Sequence, residues 1–341
     1  MSNISKLAMI QMVSALFIVG CSSPPKVNTA AETAKPIVEQ IVDTQTKIAA
    51  GPHKGFRSNH AKGIVVSGTF APSASAADIT KAPHLQKTPS EVVVRFSNAT
   101  GIPNITDTSP KANPRGIAIR FKLPGDKSTD IVSFSVNRFP AASPEVFFEF
   151  LNAVAATKPD SPKPTPLEQF LETHPAAKAF VKTPKSAPAS YATQSFFGVN
   201  AFKFTNAKGE SRYGRYRITP LAGDRVLDEA SVATASANYL SEELTARLQQ
   251  GQGEAKFRIT VQLADKDDVV NDATVVWPED RQQVEVGILT LTAVLPDSKE
   301  VEKKLAFNPL SLVDGISPSD DPILLARPAA YAISVSRRAA N

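Results

Sequence analysis

The chain has 341 residues, 42% of them hydrophobic, and a formal net charge of +5. That is enough for one large or two small cores. Lysine and arginine are interspersed with aspartate and glutamate, which excludes a basic run of the kind that tracks nucleic acid. The single cysteine excludes an internal disulfide, and four histidines argue against a multi-histidine metal centre.

Residues 1–20 read as a signal peptide, with Lys6 supplying a short positive region and residues 7–19 an apolar stretch too short to span a bilayer. The stretch ends Ile18-Val19-Gly20-Cys21, which resembles a bacterial lipobox with the lipid on Cys21; Ser22 suits sorting to the outer membrane. A mature protein lipid-anchored in the periplasm, without a thiol for catalysis, is the expectation. Residues 21–48 carry much Pro, Ala, Thr and Ser and are expected to be the lipidated cysteine and a flexible tether, leaving 49–341 as the folded domain.

Strands are predicted at 63–70, 91–96 and 116–121, which are short, β-branched and bounded by Pro, Gly or Ser. A helix is predicted over 144–156, where Pro144 opens it and Val146, Phe147, Phe150, Leu151 and Val154 recur at helical spacing. A Pro- and Lys-rich stretch to about 191 holds a short helix near 167–170. Further strands are predicted at 201–205, 211–219, 255–263 and 284–293, with a helix at 241–249 and a hairpin turn at Asn206-Ala-Lys-Gly209. Many antiparallel strands with helices outside imply an α+β fold with an antiparallel β-barrel core.

Two short motifs carry chemistry. In Arg57-Ser-Asn-His60-Ala-Lys-Gly63 the histidine stands just before an apolar strand. Its plain reading is a core histidine with a satisfied hydrogen bond. Its sharper reading is a general acid/base for peroxide, which needs one group to take a proton from the near oxygen and deliver it to the leaving one. In Arg327-Pro-Ala-Ala-Tyr331 the two side chains lie one helical turn apart on one face. The cation favours the phenolate, one of the few protein ligands of haem iron.

These motifs recur with others in a fixed order: Val94-Arg95-Phe96-Ser97, Pro114-Arg115-Gly116, Asn200-Ala-Phe-Lys-Phe204, Val276-Trp277-Pro278, and a closing run from Phe307-Asn-Pro309 through Gly315-Ile316 to Arg327 and Tyr331. Over residues 50–338 the chain resembles the short catalase-related haem peroxidases of the catalase superfamily. The resemblance implies a catalase-like fold without the C-terminal helical domain of catalases, a haem b cofactor, and an open channel in a monomer or homodimer. It implies that His60 is the distal acid/base and that Ser97 fixes its ring. It further implies that Tyr331 ligates iron, Arg327 supports the phenolate, and Arg57, Arg95 and Arg338 bind the haem propionates. Phe139 and Phe147 align with two distal aromatics.

One departure stands out. Catalases carry a distal asparagine within Trp-Asp-Leu-Val-Gly-Asn-Asn; here Thr129-Asp130-Ile131-Val132-Ser133-Phe134-Ser135 aligns, so Phe134 falls on that position and Ser133, Ser135 and Asn137 are the nearby polar candidates. The expected activity is reduction of hydrogen peroxide or an organic hydroperoxide by a small organic electron donor, with weak or no catalase activity. Hydroperoxide rearrangement of the allene-oxide-synthase kind, or haem binding and peroxide sensing with little turnover, are the alternatives.

Overall fold

A computed structural model describes residues 35–249, 255–296 and 298–340. The expected signal peptide, Cys21 and the first part of the tether lie outside these residues. The strands among the described residues are β1 (Gly63–Pro72), β2 (Ser90–Ser97), β3 (Gly116–Leu123), β4 (Lys127–Phe134), β5 (Phe196–Phe197), β6 (Phe202–Thr205), β7 (Ser211–Pro220), β8 (Lys256–Leu263), β9 (Gln283–Val294) and β10 (Ile316–Pro318). The helices are α1 (Ile37–Ile48), α2 (Ala76–Ile79), α3 (Pro144–Ala156), α4 (Pro166–Thr173), α5 (Pro175–Lys182), α6 (Glu229–Thr234), α7 (Tyr239–Gln249), α8 (Ser298–Lys304) and α9 (Pro322–Ala340).

All strand pairs are antiparallel. β1 to β4 form a meander, β5 links β4 to β7, and β7, β8 and β9 follow, with β9 pairing back onto β1. The ring therefore closes through β1, β2, β3, β4, β5, β7, β8 and β9, while β6 and β10 extend one side of β7. Closure removes the sheet edges that would otherwise invite pairing with other chains. The expected α+β barrel is the observed fold.

Phe70, Phe96, Phe121, Phe196, Phe204 and Phe257 are all fully buried and share one cluster with the aliphatic side chains of the strands. Burying each such ring contributes roughly 1.5–3 kcal/mol. The predicted hairpin joins β6 to β7, where Asn206 Oδ1 accepts from the backbone N–H of Lys208 and Glu210 at 3.0 Å each.

Two stretches correct the sequence reading. Residues 37–48, expected as tether, form α1, whose Ile41 and Val42 are buried and which packs on α3 and α9. Averaging composition over 21–48 hid the apolar face that Ile37, Ile41 and Ile48 make at helical spacing. β4 also went unpredicted, because Lys127, Ser128 and Asp130 are poor strand formers; pairing with β3 along its whole length overrides that preference.

Candidate active site

His60 precedes β1 and adopts a left-handed backbone, φ +54°. Its N–H donates to Asn59 Oδ1 at 3.0 Å, its carbonyl accepts from Arg95 Nη2 at 2.8 Å, and Ser97 Oγ lies 3.1 Å from its ring Nδ1. β2 presents Arg95 and Ser97 two residues apart, so both face the same way. Two glycines make the room: a Cβ on Gly116 would lie 3.2 Å from the His60 ring, and one on Gly63 would lie 2.6 Å from Arg95 Nη2. Burial first, then the charges of Arg95, Arg327 and Arg57, push the imidazole down to about 3, so it is neutral at ordinary pH.

α9 carries the opposite face. Asp321 caps its start, accepting from the N–H of Ile323 at 2.9 Å and of Leu324 at 3.3 Å, and Pro322 follows as the first helical residue. One turn further, Arg327 donates to Tyr331 Oη from Nε at 3.1 Å and from Nη2 at 2.8 Å. Its third nitrogen, Nη1, donates to Asn200 Oδ1 at 2.9 Å, and Asn200 Nδ2 donates to Asp321 Oδ2 at 2.8 Å. Burial pushes the Asp321 carboxyl up, while Asn200 and the two backbone donors pull it down. The chain Tyr331–Arg327–Asn200–Asp321 locks the phenol from behind.

Between these faces lies a cavity of about 250 Å³. His60, Ser97, Arg57, Arg327, Arg338, Phe139, Phe147 and Tyr331 all line it, while Arg95 sits behind His60 and Ser135 and Asn137 lie outside the lining. Phe134 forms part of the wall, 6.2 Å from the Phe139 ring, which is in turn 4.9 Å from Phe147. Of the polar candidates near Phe134, Ser135 Oγ is already used by the N–H of Arg115 at 2.9 Å, and the Ser133 hydroxyl and Asn137 amide are buried. α1 closes the cavity between α3 and α9 with Val38, Ile41 and Gln45.

Arg57 and Arg338 converge at one end, both donating to the Leu305 carbonyl, at 2.6 and 2.9 Å. With Arg95 they surround a single buried carboxylate, Glu302, which pairs with Arg95 and lies 3.8 Å from Arg57. Burial, then Arg95 and Arg338, push Arg57 down to about 8 against the opposing pull of Glu302. Such a surplus of buried positive charge calls for further anions. The donor set fits a dianionic, iron-containing macrocycle: Arg57 and Arg338 would hold its carboxylates, the Arg327-supported phenol of Tyr331 would hold its iron, and the walls are apolar.

The fold and the site define an antiparallel β-barrel protein whose cavity is lined on one side by a helix-borne tyrosine and on the other by a histidine just before β1. Residues 48–341 match the catalase family, and the chain belongs to it; that family implies haem. The chain is 36% identical over 294 residues to a catalase-related peroxidase of Synechococcus elongatus, covering 84% of this chain and 85% of that one. It is 34% identical over 303 residues to a catalase-related peroxidase of Mycolicibacterium paratuberculosis, covering 88% and 94%. A fungal catalase superposes with a TM-score of 0.74 at 23% identity, and catalase A of Saccharomyces cerevisiae with 0.73 at 23%. Those matches cover 83% of this chain but only 59% and 61% of the solved catalases.

Sequence reasoning did not assign roles to Asn200, Asp321, Glu302 or the cavity face of α1. The Asp-Pro pair at the start of α9 is a capping signal that could have found Asp321. Glu302 had no local signal, since its partners lie more than 200 positions away, as in its pair with Arg95.

Proposed function

We propose that this chain is a haem peroxidase that reduces hydrogen peroxide or an organic hydroperoxide at the expense of a small organic donor, evolving little or no dioxygen. The observation that carries the reading is a phenol held by two guanidinium N–H groups, facing a cavity that His60 also lines. Membership of the catalase family and the relatives named catalase-related peroxidase support it. When bound, haem b supplies an iron that passes electrons from donor to peroxide.

Tyr331 would ligate that iron through its oxygen, and Arg327 would hold the negative charge there. Asn200 and Asp321 keep Arg327 in place. Arg57, Arg95 and Arg338 would pair with the two propionates, with Arg57 and Arg338 lining the cavity. The neutral imidazole of His60 removes the proton from the near peroxide oxygen and returns it to the far one, which leaves as water or an alcohol. Ser97 holds the ring for both transfers. Phe134, Phe139 and Phe147 make the adjoining wall aromatic, a poor seat for a second peroxide as reductant.

Mixing the haem-reconstituted protein with peroxide, while donor oxidation and dioxygen are followed together, tests the reading. Donor oxidation should far exceed dioxygen release. Dioxygen release at a comparable rate without donor would sink it. We also propose attachment to a membrane through a lipid on Cys21; Cys21→Ser should move the protein from the membrane fraction to the soluble one, and an unchanged distribution would count against the anchor.

A further inference from the structure

We infer that the amides of Gln45 and Asn59 form a seat for a hydroxyl-bearing aromatic ring, and that this seat selects the electron donor. Other polar side chains around the cavity are already committed. Asn200 bonds Arg327 and Asp321, Ser97 meets the His60 ring, the Ser58 and Ser334 hydroxyls face each other at 3.3 Å, and the Ser133 hydroxyl is buried. Asn59 lines the cavity with half of its amide engaged: Oδ1 accepts from the N–H of His60 at 3.0 Å and of Thr100 at 2.8 Å. Two N–H donors call for an oxygen, which fixes the flip of the amide and leaves Nδ2 without a partner among the described residues. Gln45 also lines the cavity, and neither end of its amide has a partner among the described residues.

Helix geometry aims Gln45 inward. α1 turns Ile37, Ile41 and Ile48 toward α3, and Glu39 and Asp43 toward Arg337 on α9. Val38 and Gln45, two turns apart, lie between those stripes and line the cavity. The next turn brings Ala49 beside Ser58: a Cβ on Gly101 would lie 3.0 Å from the Ala49 Cβ and press on the Ser58 carbonyl. Gln45 and Asn59 therefore belong to the same side of the cavity. Val38, Ile41 and Phe147 supply apolar surface there. Asn59 Nδ2 can only donate, whereas Gln45 can turn its oxygen to accept. A hydroxyl that accepts one hydrogen bond and donates another matches the pair, and a ring matches the apolar surface. The role of the seat rests on the peroxidase reading. Two phenols supply the two electrons and two protons that turn a hydroperoxide into an alcohol and water, and two phenoxyl radicals leave.

Phenol and anisole separate the parts of the seat, because the anisole oxygen accepts a hydrogen bond but has none to donate. Calorimetry on haem-loaded protein without peroxide should find phenol bound more tightly than anisole. Gln45→Leu, or Gln45→Met should the first variant fail to fold, should weaken phenol about fivefold and leave anisole unchanged. Asn59→Asp keeps an oxygen for the two backbone N–H groups but loses the donor, so both probes should weaken by about that factor. Wild-type protein that binds no phenol, equal losses for phenol and anisole in the Gln45 variant, or unchanged phenol binding in either variant overturns the seat. If the expected pattern appears and phenol is not oxidised once hydrogen peroxide is added, the peroxidase reading falls and the seat stands.

Discussion

The two faces of the cavity are built in opposite ways. The α9 face is a local device: Asp321, Arg327 and Tyr331 lie on one helix start and its next two turns, and only Asn200 comes from elsewhere. The strand face is assembled from afar, with His60 before β1, Ser97 and Arg95 on β2, Gly116 on β3, Phe134 on β4 and Glu302 on α8. The difference teaches that ligation is encoded in helical spacing, whereas reactivity depends on barrel registers. Residues on the helix face can therefore change without altering how the strand face is built.

The sharpest break between the faces should come from Tyr331→Phe. Removing the oxygen that Arg327 grips should cost haem affinity more than the roughly 10–100-fold that loss of an outer-shell partner costs. Haem-to-protein stoichiometry after gel filtration reads this directly, and wild-type stoichiometry with an unchanged absorption spectrum would refute the ligand assignment. His60→Ala should do the opposite, keeping the haem and losing about two orders of magnitude or more in rate with peroxide. If that variant lost haem instead, the two faces would not be separable in function.

Smaller effects sharpen the same contrast. Asn200→Ala keeps Tyr331 and Arg327 in the chain but removes the partner that holds Arg327 Nη1, so haem affinity should fall by roughly tenfold with little change in rate per bound haem. Phe134→Asn puts a polar group into the aromatic wall. It should raise dioxygen release relative to donor oxidation by about threefold, since one added hydrogen bond contributes about 0.5–1.5 kcal/mol. An unchanged ratio would mean that the wall does not decide between the two reductants.

What could be read in the sequence follows this division. Arg327 and Tyr331 are legible because a helix brings positions four apart together whatever the rest of the chain does. His60 and Ser97 gain meaning only when β1 and β2 pair Gly63 with Ser97, a register that no local pattern states. Arg95 shows the limit most clearly. Its resemblance to a propionate ligand is legible, whereas its hydrogen bonds to the His60 carbonyl and Glu302 join positions far apart in the sequence. α1 was hidden for a different reason: its apolar stripe has meaning only against α3 and α9, and Arg337 ties it there through Asp43 at 2.6 Å and Glu39 at 3.4 Å.

The last contrast is between two histidines, a part-buried one in the site and a buried one in the barrel core. His84 is 1% exposed, packs 4.7 Å from the Phe121 ring and leaves its Nδ1 without a hydrogen bond. Burial pushes it down to about 3 from an ordinary 6.5. Because the folded value lies below the unfolded one, the unfolded chain takes up the proton first as pH falls. The stability His84 contributes is whole above about pH 6.5 and is lost through the window down to about pH 3. One such group gives a slope of about 1.4 kcal/mol per pH unit inside that window. In haem-free protein, His84→Leu should flatten the pH dependence of urea unfolding between pH 4 and 6 by about that amount, leaving the steepness that His60 contributes. Equal slopes in the variant and the wild type would mean that His84 takes up its proton in the folded barrel. The core would then be wetter than the cavity whose histidine does the chemistry.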